Sequence, residues 1–221
     1  MTLTKEGTII GMKKEKISSA VIRRLPRYYR HLSDLAQSGV VRISSSALGE
    51  AMNLTASQIR QDLSCFGEFG QQGYGYNVTN LRDEVANILG MSQMHTAIVM
   101  GAGNLGRALI ENFRFDLSGF HLTAAFDTDP ELIGREIAGT PVYSVDKLEE
   151  YLAQNPVSVG VLTVPQNVAN SISEQLIAGG VKGIWNFTNS ELQISDPHVV
   201  VENIHFADSL LALSYWISEV P

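Results

Sequence analysis

The chain has 221 residues, 44% apolar and 18% charged, which fits a soluble globular protein and excludes a disordered or fibrous one. Its single cysteine, Cys65, excludes an internal disulfide and a cysteine-rich metal site, and no run approaches the roughly 20 apolar residues of a membrane span. The net charge of −7 divides into +3 for residues 1–90 and −10 for the rest, an asymmetry that either a DNA-facing N-terminal part or an uneven surface produces.

The first 15 residues lack the apolar core of a signal peptide, so a cytoplasmic protein is expected. Val21, Leu25, Tyr28, Leu32 and Leu35 recur at helical spacing and predict a first helix, basic through Arg23, Arg24, Arg27 and Arg30. Pro26 either opens a helix there or kinks a longer one. Leu48, Ala51 and Met52, then Ile59 and Leu63, predict two more short helices. Serines 44–46 can cap the first, Asn53-Leu54 forms a turn, and Thr55 and Gln58 have the spacing of a capping box. This is the pattern of a helix-turn-helix. Ala56, Ile59 and Leu63 would face inward, leaving Ser57, Gln58, Arg60 and Gln61 for base edges or phosphates, with Ser45 and Ser46 as further DNA contacts. Gly67 to Tyr76 is too glycine-rich for a helix and reads as a β-hairpin wing. In it Gln71, Gln72, Gly73 and Tyr74 could approach the minor groove; a purely structural hairpin is the other reading. Cys65, between Leu63 and Phe66, is expected to be buried and inert rather than a thiol sensor.

After Gly90 short β-branched runs alternate with helical stretches. Residues 96–100, 122–126, 157–162 and 183–185 predict parallel strands, and 105–113, 145–152 and 168–178 the helices between them, an α/β doubly wound sheet. Gly101-Ala102-Gly103-Asn104-Leu105-Gly106 fits the dinucleotide fingerprint between a strand and a helix. Gly101 allows the turn, Gly103 the approach of a pyrophosphate, and Gly106 close helix packing. Asp127 ends the next strand, where a carboxylate takes the adenosine ribose and favours NAD(H) over NADP(H). Thr163-Val164-Pro165 and Asn186-Phe187-Thr188 end later strands and are candidate walls for ribose and nicotinamide. His95 and His121 precede strands at the wrong sheet edge and His198 lies between strands, so no catalytic residue is expected. Residues 206–217 predict a helix apolar nearly all round, which must bury itself against a partner subunit or its own domain.

The set Arg24-Leu25-Pro26, Ile59-Arg60-x-Asp62-Leu63-Ser64, Gly73-Tyr74-Gly75-Tyr76, Gly101 to Gly106, Ala125-Phe126-Asp127, Leu162-Thr163-Val164-Pro165 and Gly183-Ile184-Trp185-Asn186-Phe187 resembles the redox-sensing repressor family Rex. The resemblance implies a winged-helix DNA-binding domain (1–90), a Rossmann NAD(H)-binding domain (91–203) and a C-terminal helix (204–221) swapped between the subunits of a homodimer. It implies binding to an inverted-repeat operator of genes for fermentation and NADH reoxidation, permitted by NAD⁺ and disfavoured by NADH, and it adds Phe206 to the dinucleotide site. Two departures touch function. Gln61, Gln71 and Gln72 stand where the family usually has basic residues, so a shallower salt dependence than in relatives is expected. Arg30, Asn112 and His205 occupy the family's switch positions, but His205 replaces an Asp and Asn112 a Tyr, so coupling is expected to be weaker, rewired or pH-dependent. An NAD-dependent enzyme and a CoA-binding module are the rival readings.

Overall fold

The computed structural model describes residues 17–67, 69 and 74–220. The chain divides into two compact units, one running to Ser92 and the other starting at Gln93.

The first unit orders α1 (Ser19–Gln37), β1 (Arg42–Ile43), α2 (Ser45–Met52), α3 (Ala56–Ser64), β2 (Tyr76–Asn77) and α4 (Val78–Ile88). Ser18 caps α1 by accepting the Val21 N–H, and Val21, Leu25, Tyr28 and Leu32 bury one stripe of it. Pro26 neither opens nor ends this helix: it sits within it on the exposed side, where water can solvate the carbonyl it leaves unpaired. Ser44 and Thr55 cap α2 and α3 through side-chain oxygens, and Asn53 makes the turn in the left-handed region. Gly49 has to be glycine, because a Cβ there would lie 2.6 Å from the Leu54 carbonyl oxygen. Leu25, Tyr28, Leu32, Leu48, Met52, Ile59, Leu63, Leu81 and Val85 form one core. Ala51, expected on the inner face of α2, is exposed instead. The expected wing was confined to residues 67–76, but the described part of it, β2, pairs antiparallel with β1, with Ile43 opposite Tyr76. A two-residue strand ahead of the helix-turn-helix carries no periodic signal. Gln71, Gln72 and Gly73 lie outside the described residues.

The second unit holds β3 (His95–Met100), α5 (Asn104–Asn112), β4 (Phe120–Asp127), β5 (Glu136–Ile137), β6 (Thr140–Ser144), α6 (Leu148–Gln154), β7 (Val159–Leu162), α7 (Gln166–Ala178), β8 (Gly183–Asn186), β9 (Val200–Asn203) and α8 (Phe206–Ser218). The strands form one seven-stranded sheet ordered β5-β6-β4-β3-β7-β8-β9, parallel except for the β5–β6 hairpin. The order reverses between β4–β3 and β3–β7, and in such sheets the crevice at the carboxyl ends beside that reversal receives ligands. Strands β5, β6 and β9 were not expected: two are edge strands, and Pro141 and the polar Glu202 and Asn203 break an apolar run. His121 lies inside β4 rather than before it, still near the amino end and away from the crevice.

Leu148, Leu152, Ile172 and Leu176 from α6 and α7 cover one sheet face. On the other, α5 covers only part, and the connection 187–199 between β8 and β9 adds no helix. An apolar groove of about 280 Å³ is left there, walled by Phe113, Phe115, Phe120, Val161, Trp185 and Val200. Among the described residues helix α8 buries none of its side chains on its own chain; Leu210, Leu211, Leu213, Tyr215, Trp216 and Ile217 are each more than half exposed. Packing of α8 on its own domain, one of the two expectations, is thereby overturned.

Candidate functional site

In the helix-turn-helix, Ser57, Arg60 and Gln61 of α3 are exposed on one side, while Ile59 and Leu63 hold the other in the core. Arg60 donates from Nη1 to Ser45 Oγ at 3.0 Å, so the start of α2 steadies the guanidinium. Ser46 is exposed beside it. Gln58 does not stand free. Its backbone N–H donates to Thr55 Oγ1, completing half of the expected capping box, but its amide turns along the helix and donates to Asp62 Oδ1 at 2.7 Å.

Asp62 explains this. Its carboxylate is fully buried and accepts a bidentate pair from Arg24 at 2.6 and 2.7 Å, the Tyr28 hydroxyl at 3.0 Å, and Gln58. Burial pushes its pKa up, but the hydrogen bonds from Arg24, Gln58 and Tyr28 and the Arg24 charge outweigh it and hold Asp62 below the usual carboxylate range. Burial, with the bond to Asp62, pushes the Tyr28 phenol well above its ordinary range. The network bolts α3 to α1. Arg27 also works internally, donating to the Met52 carbonyl at the end of α2 at 2.9 Å. Of the four arginines on α1, Arg23, Arg27 and Arg30 are exposed and Arg24 is half-buried. Sequence reasoning missed Arg42: exposed on β1, it donates to the Tyr74 carbonyl at 3.3 Å, and its guanidinium lies 6.0 Å from the Tyr74 ring centre.

In the second unit Gly101 adopts φ 93°, and a Cβ on it would meet the Thr163 carbonyl at 3.0 Å. A Cβ on Gly106 would collide with the Gly101 carbonyl oxygen, whereas nothing stands within 4 Å of one on Gly103. Two glycines are therefore required by the fold, and the third faces open space. Gly103 caps α5 without a side-chain acceptor, so the first-turn amides around Asn104 and Leu105 stay available to an anion. Asp127, at the end of β4, accepts the Ala102 N–H at 2.5 Å and the Thr128 and Asp129 N–H groups at 2.7 and 2.9 Å. Its carboxylate thus sits against the glycine loop. Thr163 gives its hydroxyl to the Met100 and Gly101 carbonyls, holding the loop rather than facing a ligand, with Val164 half-buried and Pro165 exposed beside it. Asn186, expected in a wall of the site, is buried, and both ends of its amide are bonded within the protein. Phe187 is buried next to it, with its ring 6.0 Å from that of Phe206.

Residues 16–64 match a family model described as "Putative DNA-binding protein N-terminus", and residues 92–190 one described as "CoA binding domain". A redox-sensing transcriptional repressor Rex of Clostridium botulinum is 48% identical over 207 residues, which is 94% of this chain and 98% of that protein. The chain belongs to the Rex family. The Rex-family repressor RSP, crystallised with β-NAD⁺ and operator DNA, is 45% identical with a TM-score of 0.87 over 93% of this chain and 94% of that one. RSP with β-NADH is 42% identical with a TM-score of 0.86 over 93% and 96%. The motif-based resemblance to Rex is borne out.

Of the three residues expected to form the switch, Arg30 is exposed on α1. Asn112 ends α5 and donates to the Ala108 carbonyl at 3.0 Å. His205 precedes α8 with Nε2 3.8 Å from Glu191 Oε1. Cys65, expected to be buried, is exposed at the end of α3, because the last turn of the helix rotates it out of the stripe that Leu63 occupies.

Proposed function

We propose that this Rex-family chain is a dimeric, cytoplasmic transcriptional repressor that grips an inverted-repeat operator and loosens that grip when NADH replaces NAD⁺, freeing genes for NADH reoxidation and fermentation. The observation that carries the reading is the joining, in one chain, of a capped helix-turn-helix to an open glycine loop with Asp127 beside it. Ser57, Arg60 and Gln61, with Ser45, Ser46 and Tyr74, would meet the DNA, and Arg42 would brace the wing. Gln58 serves α3 instead. Gln71, Gln72 and Gly73 complete the proposed contact.

The residues fit a dinucleotide. The α5 amides and the space over Gly103 would take the pyrophosphate, Asp127 the adenosine ribose, and Val164, Pro165, Phe187 and Phe206 would wall the nicotinamide. Bound NADH and NAD⁺ differ in charge and ring planarity, and that difference is the signal. The chain would read it without turning it over. Asp127 favours NAD(H) over CoA, whose 3′-phosphate calls for a basic neighbour. The exposed apolar face of α8 and the uncovered groove by Trp185 support exchange of α8 between two subunits, since each lacks a cover that the other can supply.

Calorimetry with NADH, NAD⁺ and CoA, together with operator affinity measured with each dinucleotide and with neither, tests the reading. Tight NADH binding that weakens operator binding is expected; absence of any dinucleotide binding would defeat it.

A further inference from the structure

The amide of Asn186 is surrounded by partners that fix its direction. The Ser190 carbonyl can only accept, and Asn186 Nδ2 donates to it at 2.8 Å; the Thr188 backbone N–H can only donate, and Asn186 Oδ1 accepts it at 3.0 Å. The second Nδ2 hydrogen goes to Asn203 Oδ1 at 2.8 Å, and the Thr188 hydroxyl gives Oδ1 its second bond at 2.7 Å. Asn186 on β8 and Asn203 on β9 are direct neighbours in the sheet, and the Ile204 N–H donates to the Asn186 carbonyl at 2.8 Å. One buried amide therefore holds two things at once: the turn 187–190, at the ligand-receiving edge of the sheet, and the last residue of β9, from which α8 begins three positions later.

Two further contacts run in parallel. The Phe187 ring lies against Phe206 in the first turn of α8, and His205 faces Glu191 just beyond the turn. A group pressing on Phe187 thus meets a structure continuous with the start of α8. Coupling between sites needs a physical element with contacts to both, and buried, fully satisfied polar networks are stiff enough to serve.

We propose that Asn203 is a positioning residue for the redox response: through Asn186 it clasps the nicotinamide-side turn to the root of α8, so that the state of the dinucleotide is felt at α8. This rests on the functional reading above. Asn203 touches no proposed ligand contact directly, so its loss should separate binding from response.

The test uses the full-length chain with Asn203→Ala, which removes the acceptor, and Asn203→Asp, which keeps one. NADH affinity and operator affinity without dinucleotide should stay within about threefold of the unmodified chain in both, while the factor by which NADH weakens operator binding should fall at least ~5-fold in Asn203→Ala and return in Asn203→Asp. Should Asn203→Ala fail to fold, Asn203→Ser, whose hydroxyl is too short to reach Asn186, replaces it. An undiminished NADH effect in the alanine or serine variant overturns the proposal. So does a loss of NADH affinity in step with the effect, or a failure of Asn203→Asp to restore it. If the unmodified chain itself binds no NADH, the functional reading falls first and takes this one with it.

Discussion

Asp62 concentrates three donors on one buried carboxylate, so its removal leaves Arg24 and Tyr28 facing an empty acceptor. Breaking a buried pair in this way costs about 3 kcal/mol, and Asp62→Ala should lower the thermal midpoint of the N-terminal unit accordingly by calorimetry. The network also sets a pH dependence. Asp62 is held below its unfolded value, so its contribution is complete above roughly pH 4 and fades as the pH falls through the lower folded value. Asp62→Asn should therefore be less stable at neutral pH and lose less on acidification; parallel curves would refute the assignment. Two glycines make a second contrast. Gly106→Ala forces a Cβ onto the Gly101 carbonyl and should destabilise the C-terminal unit by about 3 kcal/mol. Gly103→Ala meets no protein atom and should fold normally, yet lose at least ~10-fold in NADH affinity because the methyl occupies the space of the pyrophosphate. Both effects are read by thermal unfolding and calorimetry. The fingerprint spacing made all three glycines visible in the sequence. That the side chains of Thr163 and Asn186 are bonded to the loops was not legible, because a side chain's hydrogen-bond partners depend on which distant strands become its neighbours.

At the level of elements, most helices and the central strands were readable because periodicity survives any tertiary arrangement: α1 and α3 bury Leu25, Tyr28, Leu32, Ile59 and Leu63 as their spacing predicts. What escaped were α4, although Val78, Leu81 and Val85 recur at helical spacing, and the strands β1, β5, β6 and β9, two to five residues long and too short to show a period. Arg42 escaped with β1. The reading head also carries less free charge than the count of arginines on α1 suggested, since Arg24 is paired with Asp62, while Arg27 stays charged and exposed but gives one N–H to the Met52 carbonyl. With Gln61 neutral at an exposed position of α3, the electrostatic share of operator binding should be modest. Introducing a charge there tests this directly: Gln61→Lys should steepen the dependence of log affinity on log salt by about one, as one added phosphate contact does, with an unchanged slope counting against α3 as the helix that meets DNA.

For the whole molecule, the unsatisfied element is α8, an apolar helix that its own chain leaves in solvent, beside a sheet face that lacks a covering helix. A stable monomer would have to keep both surfaces wet, an apolar patch of a size that soluble monomers rarely tolerate. The proposed exchange of α8 would remove both at once and fix two reading heads in one particle, which is what an inverted repeat requires. The consequence for affinity is large, because the second half-site then binds at the effective concentration set by the first. Leu211→Asp, placing a charge on the exposed apolar face of α8, should yield monomers by sedimentation while leaving each dinucleotide site able to bind NADH. Its affinity for the full operator should fall at least ~100-fold, the advantage that linked sites lose on separation, while its affinity for an isolated half-site stays that of the unmodified chain. A variant that stays dimeric, or one that becomes monomeric and still holds the full operator tightly, would break the link between α8 and operator geometry.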